Sequence, residues 1–354
     1  MSQTRLTLGS EDFWLALEAN SPNGDGHSSA AVHEVTLPSV RALDAQFGVW
    51  PKKHLPEDIS SNLFGENFFS SEEILHAEQS THTFAILDAA KIPYLPDTLA
   101  NSGLTYLNLF RGTAAQELAD VSPYIVKLEI ENDFVRKLFT DTGRKTDLWS
   151  NEVGIYVRSK DTIENMLRLF RQFTRVRDEH DNWSYFRFWE PDVAEVHFSY
   201  LSRRADLATG WFYTDNENPV GYVIVRRDGR ATKYIPNGPF AGISFNNFRM
   251  EVEEKETLKA RRVQANFLKI QSRLATLLPG KTEFEIRDAL NRVAERFSQY
   301  GFVNTGSIFA LCWYELTQGP HFERKLKVSA LKDLEQKQVA EDLRILKLQS
   351  ALGQ

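Results

Sequence analysis

The segment Thr83–Leu128 reads TFAILDAAKIPYLPDTLANSGLTYLNLFRGTAAQELADVSPYIVKL, and its apolar runs and breaks indicate the architecture of the N-terminal half. The run Phe84–Leu87 predicts a short strand that ends at Asp88, and Leu104–Phe110 and Tyr124–Leu128 repeat the strand signal. Prolines after the first strand and a Gly-Thr pair after the second open two short helical segments. Short strands that alternate with short helices predict a mixed or parallel sheet flanked by helices.

The same alternation continues beyond this segment. Val153–Val157 predicts another strand, and a helix follows in which Ile163, Leu167 and Phe170 share one face. We expect Asp161 to cap the start of that helix.

Two further segments carry strand signals. Trp183–Trp189 reads WSYFRFW, and its aromatic side chains predict either two packed faces of a strand or a binding edge. Gly221–Arg227 and Ala231–Ile235 flank the pair Asp228-Gly229, which suits the type I′ turn of a β-hairpin.

After Gly242 the pattern becomes helical. Apolar residues at steps of three and four predict an amphipathic helix that stops at Pro279-Gly280, and Thr282 with Glu285 forms a capping box for a second helix. A narrow stripe near the C-terminus, which we expect to pack on its own lobe or on another chain, consists of Leu331, Leu334, Val339, Leu343 and Leu346.

The first 80 residues are the least regular part of the chain. Ser21–Ser29 reads SPNGDGHSS, a polar segment that cannot contribute to a core, and prolines interrupt the residues after it. The predicted fold is therefore α+β. A poorly defined N-terminal arm over 1–80 precedes a mixed α/β domain over 81–242 with a central sheet flanked by helices, and an all-helical domain occupies 243–354.

Composition excludes several functional classes. The chain has 354 residues, a net charge of −6 with Lys and Arg scattered among the acids, and a single cysteine. Nucleic-acid binding requires concentrated positive charge, and a membrane span requires about 18–20 apolar residues in a row, so neither partner is expected. The N-terminus lacks the pattern of a secretory signal, which together with the absence of disulfides predicts a cytoplasmic protein.

The sequence offers little that resembles a catalytic or metal site. It contains no nucleophile elbow, phosphate loop or zinc motif, and Cys312 lies in an apolar helix where a thiol is normally inert. Asp88 ends a predicted strand, where α/β proteins place functional acids, although a turn-capping aspartate is the simpler interpretation. We therefore expect no enzyme activity, no cofactor and no metal.

Four segments in order resemble a domain family of type VI secretion clusters, the adaptor chaperones that load a toxic effector onto the valine-glycine-repeat spike protein. These segments are Phe84–Asp88, Tyr106–Thr113, Ser122–Leu128 and Phe186–Val193. Glu190 stands where the family usually has Asp, and Asp192 where a basic residue is common. Tyr300-Gly301 and Gly319–Phe322 resemble the helical extension that many of these adaptors carry.

The resemblance implies a cytoplasmic adaptor that binds an effector and delivers it to the spike protein, without a cofactor or catalytic residues. We expect residues 82–240 to hold the effector and the helical lobe to contact the spike or complete the effector site. The candidate anchors for partner binding are Arg111, Arg168, Arg171, Arg175, Phe188 and Trp189. Alanine at Arg171 and Arg175 should lower effector binding without unfolding the protein. The alternatives are an immunity-type protein that binds a toxin to neutralise it, and an unfamiliar hydrolase that uses Asp88 with a histidine.

Overall fold

The computed structural model describes residues 32–69, 81–177, 180–237, 249–326 and 328–352. The chain contains two compact units, and the division falls between Leu258 and Lys259. We refer to residues 32–258 as the sheet unit and to residues 259–352 as the helical unit. The boundary that the sequence predicted near residue 243 falls in the segment 238–248, which lies outside the described residues.

Within the described part of the sheet unit, seven strands form one sheet. In spatial order the strands are β1, β9, β8, β5, β2, β4 and β3. Their bounds are β1 Val32–Leu37, β2 His82–Asp88, β3 Tyr106–Asn108, β4 Pro123–Lys127, β5 Gly154–Ser159, β8 Val220–Val225 and β9 Ala231–Pro236. Strands β6 Arg175–Arg177 and β7 Trp183–Tyr185 pair separately as a two-stranded ribbon.

Helices flank both faces of this sheet, which confirms the predicted α+β fold class. Those of the sheet unit are α1 Glu57–Phe64, α2 Leu95–Ala100, α3 Gly112–Glu117, α4 Asp133–Leu138, α5 Ile163–Arg171, α6 Pro191–Leu201 and α7 Ala205–Phe212. Helix α8, Val252–Leu277, contains the division between the units.

The predicted mixed or parallel sheet is wrong, because each of the described pairings between the seven strands is antiparallel. Strands β2 and β3 both pair with β4, which lies between them. They therefore run in the same direction without touching, with α2 as the connection. The strand–helix–strand order was predicted correctly, but β4, which follows later in the chain, lies between β2 and β3. The order of elements along the chain does not reveal this insertion.

Side chains of successive residues in the central strands enter two separate cores. In β2, Ala85 and Leu87 belong to a core that also contains Leu95 of α2. Phe84 and Ile86 belong to a second core with Phe170 of α5. We call these the α2 face and the α5 face of the sheet. Both faces are covered, which explains why these strands read as continuous apolar runs.

Residues 32–69 are part of the sheet unit, although the sequence predicted an arm over 1–80. Strand β1 pairs with β9 along six residues, and Ile59 and Leu63 of α1 are buried in the α2-face core. The sequence missed this region because its apolar residues are spread between prolines. Residues 1–31 and 70–80 lie outside the described residues.

The predicted hairpin is confirmed, but its turn is not of type I′, because only Gly229 of the pair Asp228-Gly229 has a positive φ. Strands β8 and β9 pair around Asp228-Gly229, and Gly229 has a φ of +89°. A side chain at Gly229 would lie only 2.7 Å from the carbonyl oxygen of Val40, so the turn requires glycine on both counts.

The predicted cap of α5 is shifted by one residue. The side chain of Thr162 accepts the hydrogen bond from the backbone N–H of Asn165, and is the N-cap. Asp161 is buried and instead accepts hydrogen bonds from Thr214 Oγ1 at 2.6 Å and Asn165 Nδ2 at 2.5 Å. It ties the loop before β8 to the start of α5.

The helical unit continues α8 and adds α9 Glu283–Ser298, α10 Thr305–Gln318, α11 Val328–Glu335 and α12 Glu341–Ala351. The capping box of Thr282 and Glu285 is confirmed at the start of α9. Among the described helices of the protein, none has both the length and the apolar character needed to cross a bilayer.

The C-terminal stripe does not form one face. A break between α11 and α12 resets the helical phase. Leu334, Ile345 and Leu348 are therefore buried, whereas Leu343 and Leu346 are 55% and 56% exposed.

Candidate interaction surface

Segments that are distant in sequence meet at one end of the sheet, where β2 ends and β4 begins. Asp88 and Pro123 are partners in the strand register. The carbonyl of Pro123 accepts the backbone N–H of Leu109 at 2.9 Å, which places the end of β3 beside them. The four segments that carry the family resemblance converge here, because Arg187 in the fourth contacts Asp88 in the first.

Asp88 is a structural acid in this arrangement. Its side chain is 1% exposed and accepts the backbone N–H of Ala90 at 3.0 Å, which caps the short turn after β2. Its other oxygen accepts from Arg187 Nη2 at 2.5 Å, and Arg187 also pairs with Glu190 at 2.5 Å. Asp88 therefore links the end of β2 to the entry of α6, in agreement with the capping interpretation.

The two departures from the family pattern both have partners. Glu190 pairs with Arg187, in the position where the family usually has Asp. Asp192 pairs with Arg226 at 2.7 Å, and Arg226 also contacts Glu152 at 2.8 Å and Glu195 at 3.2 Å. Burial alone would lower the pKa of Arg226, but these carboxylates raise it overall.

Arg171, at the end of α5, holds the end of β3 in place. Its guanidinium group donates to three consecutive backbone carbonyls, at 2.9 Å to Asn108, 3.1 Å to Leu109 and 3.2 Å to Phe110. Burial, together with the positive charge of Arg111, lowers the pKa of Arg171. Arg171 therefore positions the segment that carries Phe110 and Arg111, and its removal would leave partly buried carbonyls without this donor.

The ribbon of β6 and β7 presents aromatic rings and guanidinium groups together. Trp183 and Tyr185 are 53% and 59% exposed. The guanidinium carbon of Arg175 lies 5.0 Å from the ring centroid of Trp183 and 6.0 Å from that of Tyr185. The Tyr185 ring in turn lies 5.6 Å from Phe110.

We define the ribbon patch as Phe110, Arg111, Arg175, Trp183 and Tyr185. Tryptophan, tyrosine and arginine are the residue types that most often dominate the energy of protein–protein interfaces. Cation–π contacts hold the Arg175 side chain over the rings before any partner binds, which lowers the entropy cost of binding. The patch is therefore an exposed aromatic and cationic surface in which the Arg175 side chain is already positioned.

The structure divides the six predicted anchors into four groups. Arg111 and Arg175 are exposed in the ribbon patch, and Arg171 lies beneath it. Arg168 is exposed on α5 and binds Asn165 Oδ1 at 2.8 Å.

Phe188 and Trp189 were wrong as surface anchors. They are 0% and 2% exposed, and Phe188 lies 5.7 Å from Phe170 in the α5-face core. The strand ends at Tyr185, so the residues after it turn inward ahead of α6. Trp183 in the same aromatic segment is exposed instead, so this segment supplies both core residues and exposed surface.

The other candidate groups of the sequence are the single cysteine and the groups that could bind a metal. Cys312 is fully buried, and burial together with nearby Glu315 raises the pKa of its thiol. Among the described residues, no cluster of His, Cys, Asp and Glu has the geometry of a metal site.

Comparison with known proteins identified a family model that matches part of the chain. The family model of DUF4123, described as a domain of unknown function, matches residues 83–205. This is the type VI secretion adaptor family whose motifs the sequence resembles. No curated protein and no solved structure matched the chain.

Proposed function

We propose that this chain, which carries a DUF4123 adaptor domain over residues 83–205, is a cytoplasmic adaptor that binds a type VI secretion effector and loads it onto the spike protein. The observation that carries the proposal is that the whole ribbon patch falls inside the matched segment. The patch also has the residue types that dominate protein interfaces. A binding surface in the part of the chain that matches an adaptor family supports partner recognition as the task of this domain.

Loading requires two partners, and each unit offers an exposed surface. In the sheet unit the ribbon patch is assigned to the effector. In the helical unit Leu343 and Leu346 lie exposed on α12, and we assign this apolar pair to the spike. Each unit then performs one half of the delivery.

The contacts of Asp88 support a binding role rather than a hydrolytic one. A general acid or base must reach substrate, whereas both oxygens of this buried carboxylate are held, one by a backbone N–H and one by Arg187. We therefore propose that the protein is not an enzyme.

The test is co-purification of the tagged full-length chain from the producing bacterium, with mass spectrometry of the eluate. We expect one large effector and a valine-glycine-repeat spike protein. Replacing Trp183 and Tyr185 together by alanine should weaken effector binding about 30-fold or more, because hot-spot truncations typically cost about 2 kcal/mol or more. The spike should still be recovered with this variant.

Two variants serve as controls in the same experiment. Arg230→Ala removes an exposed arginine of the sheet unit outside the patch and should recover both partners. Leu343→Ser with Leu346→Ser should lose the spike and keep the effector. Recovery of the chain alone, without either partner, would contradict the proposal that the protein is an adaptor.

A further inference from the structure

A loop on the α2 face of the sheet exposes two large aromatic side chains. Phe47 is 87% and Trp50 is 90% exposed, with Val49 between them at 44%. We call residues 44–53 the Trp50 loop. Single exposed apolar residues are ordinary, but three within four positions on a soluble protein mark a candidate contact surface.

The loop is closed at its base by one buried side chain. Gln46 is 9% exposed, and its amide group donates to the carbonyl of Lys53 at 2.9 Å and accepts the N–H of Lys53 at 2.7 Å. Leu43 and Leu55, on either side, are buried in the α2-face core. The backbone adopts left-handed φ values at Gln46 (+48°) and Gly48 (+74°), so the exposed tip has a defined shape.

This shape favours insertion into a preformed pocket. A loop that is already fixed loses little conformational entropy on binding, which is the advantage of preorganisation. Aromatic side chains of this size bury about 150–250 Å² each, so Phe47 and Trp50 together supply about half of the ~800 Å² that a standard interface needs per partner. The remainder would come from a polar rim.

The charges around the loop favour a protein over a membrane. Between residues 41 and 58 the cationic side chains are Arg41, Lys52 and Lys53, and the acidic ones are Asp44, Glu57 and Asp58. Lys53 is moreover paired with Glu57 at 2.6 Å. Loops and helices that bind anionic bilayers surround their apolar residues with a net positive charge, and here the formal charges cancel.

We propose that the Trp50 loop is a second docking site, in which Phe47 and Trp50 insert into an apolar pocket on a folded partner protein. The loop is anchored in the α2-face core, whereas the ribbon is anchored by Val176 in the α5-face core. The two sites therefore lie on opposite faces of the sheet and do not compete for one surface. That the partner belongs to the secretion apparatus rests on the proposed function, but the docking itself does not.

The first test is site-specific photo-crosslinking with the full-length chain in the producing bacterium. A benzophenone amino acid replaces Trp50 in one experiment and Val121, an exposed residue of the same unit, in the control. We expect the Trp50 position alone to cross-link one protein, at a peptide that lines an apolar pocket. Cross-links to lipid or to a second copy of this chain, or none at all, would overturn the proposal.

The second test measures affinity for the cross-linked protein after purification. Phe47→Ala with Trp50→Ala should weaken binding about 30-fold or more, since two central aromatic anchors are lost. Gln46→Asn tolerates the left-handed backbone but is too short to bridge Lys53, so a loosened loop should weaken binding about 3- to 10-fold by the loss of preorganisation. Val121→Ala should bind normally, and equal affinity of the wild type and the double variant would contradict the inference.

A vesicle assay distinguishes membrane binding by the Trp50 loop from docking on a protein. The chain should not float with vesicles of phosphatidylethanolamine and phosphatidylglycerol, and flotation that disappears in the double variant would overturn the proposal. A cross-linked pocket on a protein unrelated to secretion would leave the docking site standing and would remove only its link to the secretion apparatus. Co-purified effector and spike without a cross-link at Trp50 would support the proposed function and overturn the docking site.

Discussion

Two buried charged side chains, one in each unit, lie at comparable depth but are neutralised differently. In the sheet unit, Arg158 is 1% exposed and donates to the backbone carbonyls of Leu63 and Gly65 and to the Thr83 hydroxyl. In the helical unit, Glu315 is 2% exposed and accepts from Arg296 at 2.6 Å and Arg292 at 3.2 Å. Backbone dipoles surround the first charge, and opposite charges surround the second.

This difference determines how each of the two sites should respond to pH. Arg158 lies at the C-terminus of α1, where the helix dipole favours a cation, and burial lowers its pKa to about 10. Its contacts therefore persist across the acidic and neutral range. The Glu315 contacts depend on an ionised carboxylate, so protonation of Glu315 at low pH should weaken them. The contacts of Arg158 described above involve no carboxylate.

The largest expected effect is the loss of Arg158. Arg158→Ala leaves backbone acceptors at the end of α1 without a donor and opens a cavity beneath Phe68, so we expect the sheet unit to lose about 3–5 kcal/mol of unfolding free energy. Hydrogen exchange of the full-length chain should report faster exchange in β2 and β5. Arg168→Ala, exposed on α5, is the matched control and should change stability by no more than about 0.5 kcal/mol. Unchanged exchange in the Arg158 variant would mean that α1 is held by its apolar contacts alone.

An intermediate effect is expected for Glu315, and it should depend on pH. Glu315→Gln removes the charge that balances two guanidinium groups, which should cost the helical unit about 2–4 kcal/mol at pH 7. Burial alone would raise the pKa of Glu315, but Arg296 and Arg292 lower it overall. Since the folded-state pKa lies below the unfolded one, the contribution is complete above the unfolded value and disappears as the pH falls through the folded value.

The measurement is chemical denaturation at a series of pH values from 7 down to 3. The difference between the wild type and Glu315→Gln should shrink below about pH 4.3, the ordinary pKa of a glutamate. Glu295→Gln, an exposed glutamate on α9, provides the control without a pH-dependent difference of this size. A constant difference at all pH values would assign the cost to packing rather than to the ion pairs.

The smallest expected effect is the loss of a helix cap, which can be compared between the two units. Thr282 accepts from the N–H of Glu285 at 3.2 Å, and the Glu285 side chain accepts the Thr282 N–H at 2.8 Å, whereas the cap bond of Thr162 in the sheet unit is 3.4 Å long. Thr282→Ala should cost about 1 kcal/mol and Thr162→Ala about 0.5 kcal/mol. Thermal unfolding of both variants checks this order, and a larger cost for Thr162 would reverse the assignment of the stronger cap.

The elements that the sequence predicted correctly depend on local chemistry. The strand Phe84–Leu87, the Asp228-Gly229 hairpin and the capping box of Thr282 and Glu285 each rest on residues within one turn or one strand. Residues this close along the chain interact in much the same way wherever the element is placed. The predicted strand beyond Tyr185 failed because its neighbours in space, including Phe170, draw Phe188 inward.

Candidate site residues were harder to assign for the same reason. The sequence pointed to arginines near residues 111 and 168–175, and two of these lie in the ribbon patch. It had no means of separating Arg171, which binds the β3 carbonyls, from Arg175, which is exposed. Exposure depends on which neighbour covers a side chain, and the β3 segment lies some 60 residues away.

By itself, the sequence determined the fold class, the short-range elements and, through the four motifs, the resemblance to an adaptor family. Only the tertiary structure decided the antiparallel order of the strands, the inclusion of residues 32–69 in the sheet unit, and the difference between buried and exposed aromatic residues. Periodicity along the chain reports which side chains avoid water. Which element covers them depends on long-range packing, and that information is distributed over the whole chain.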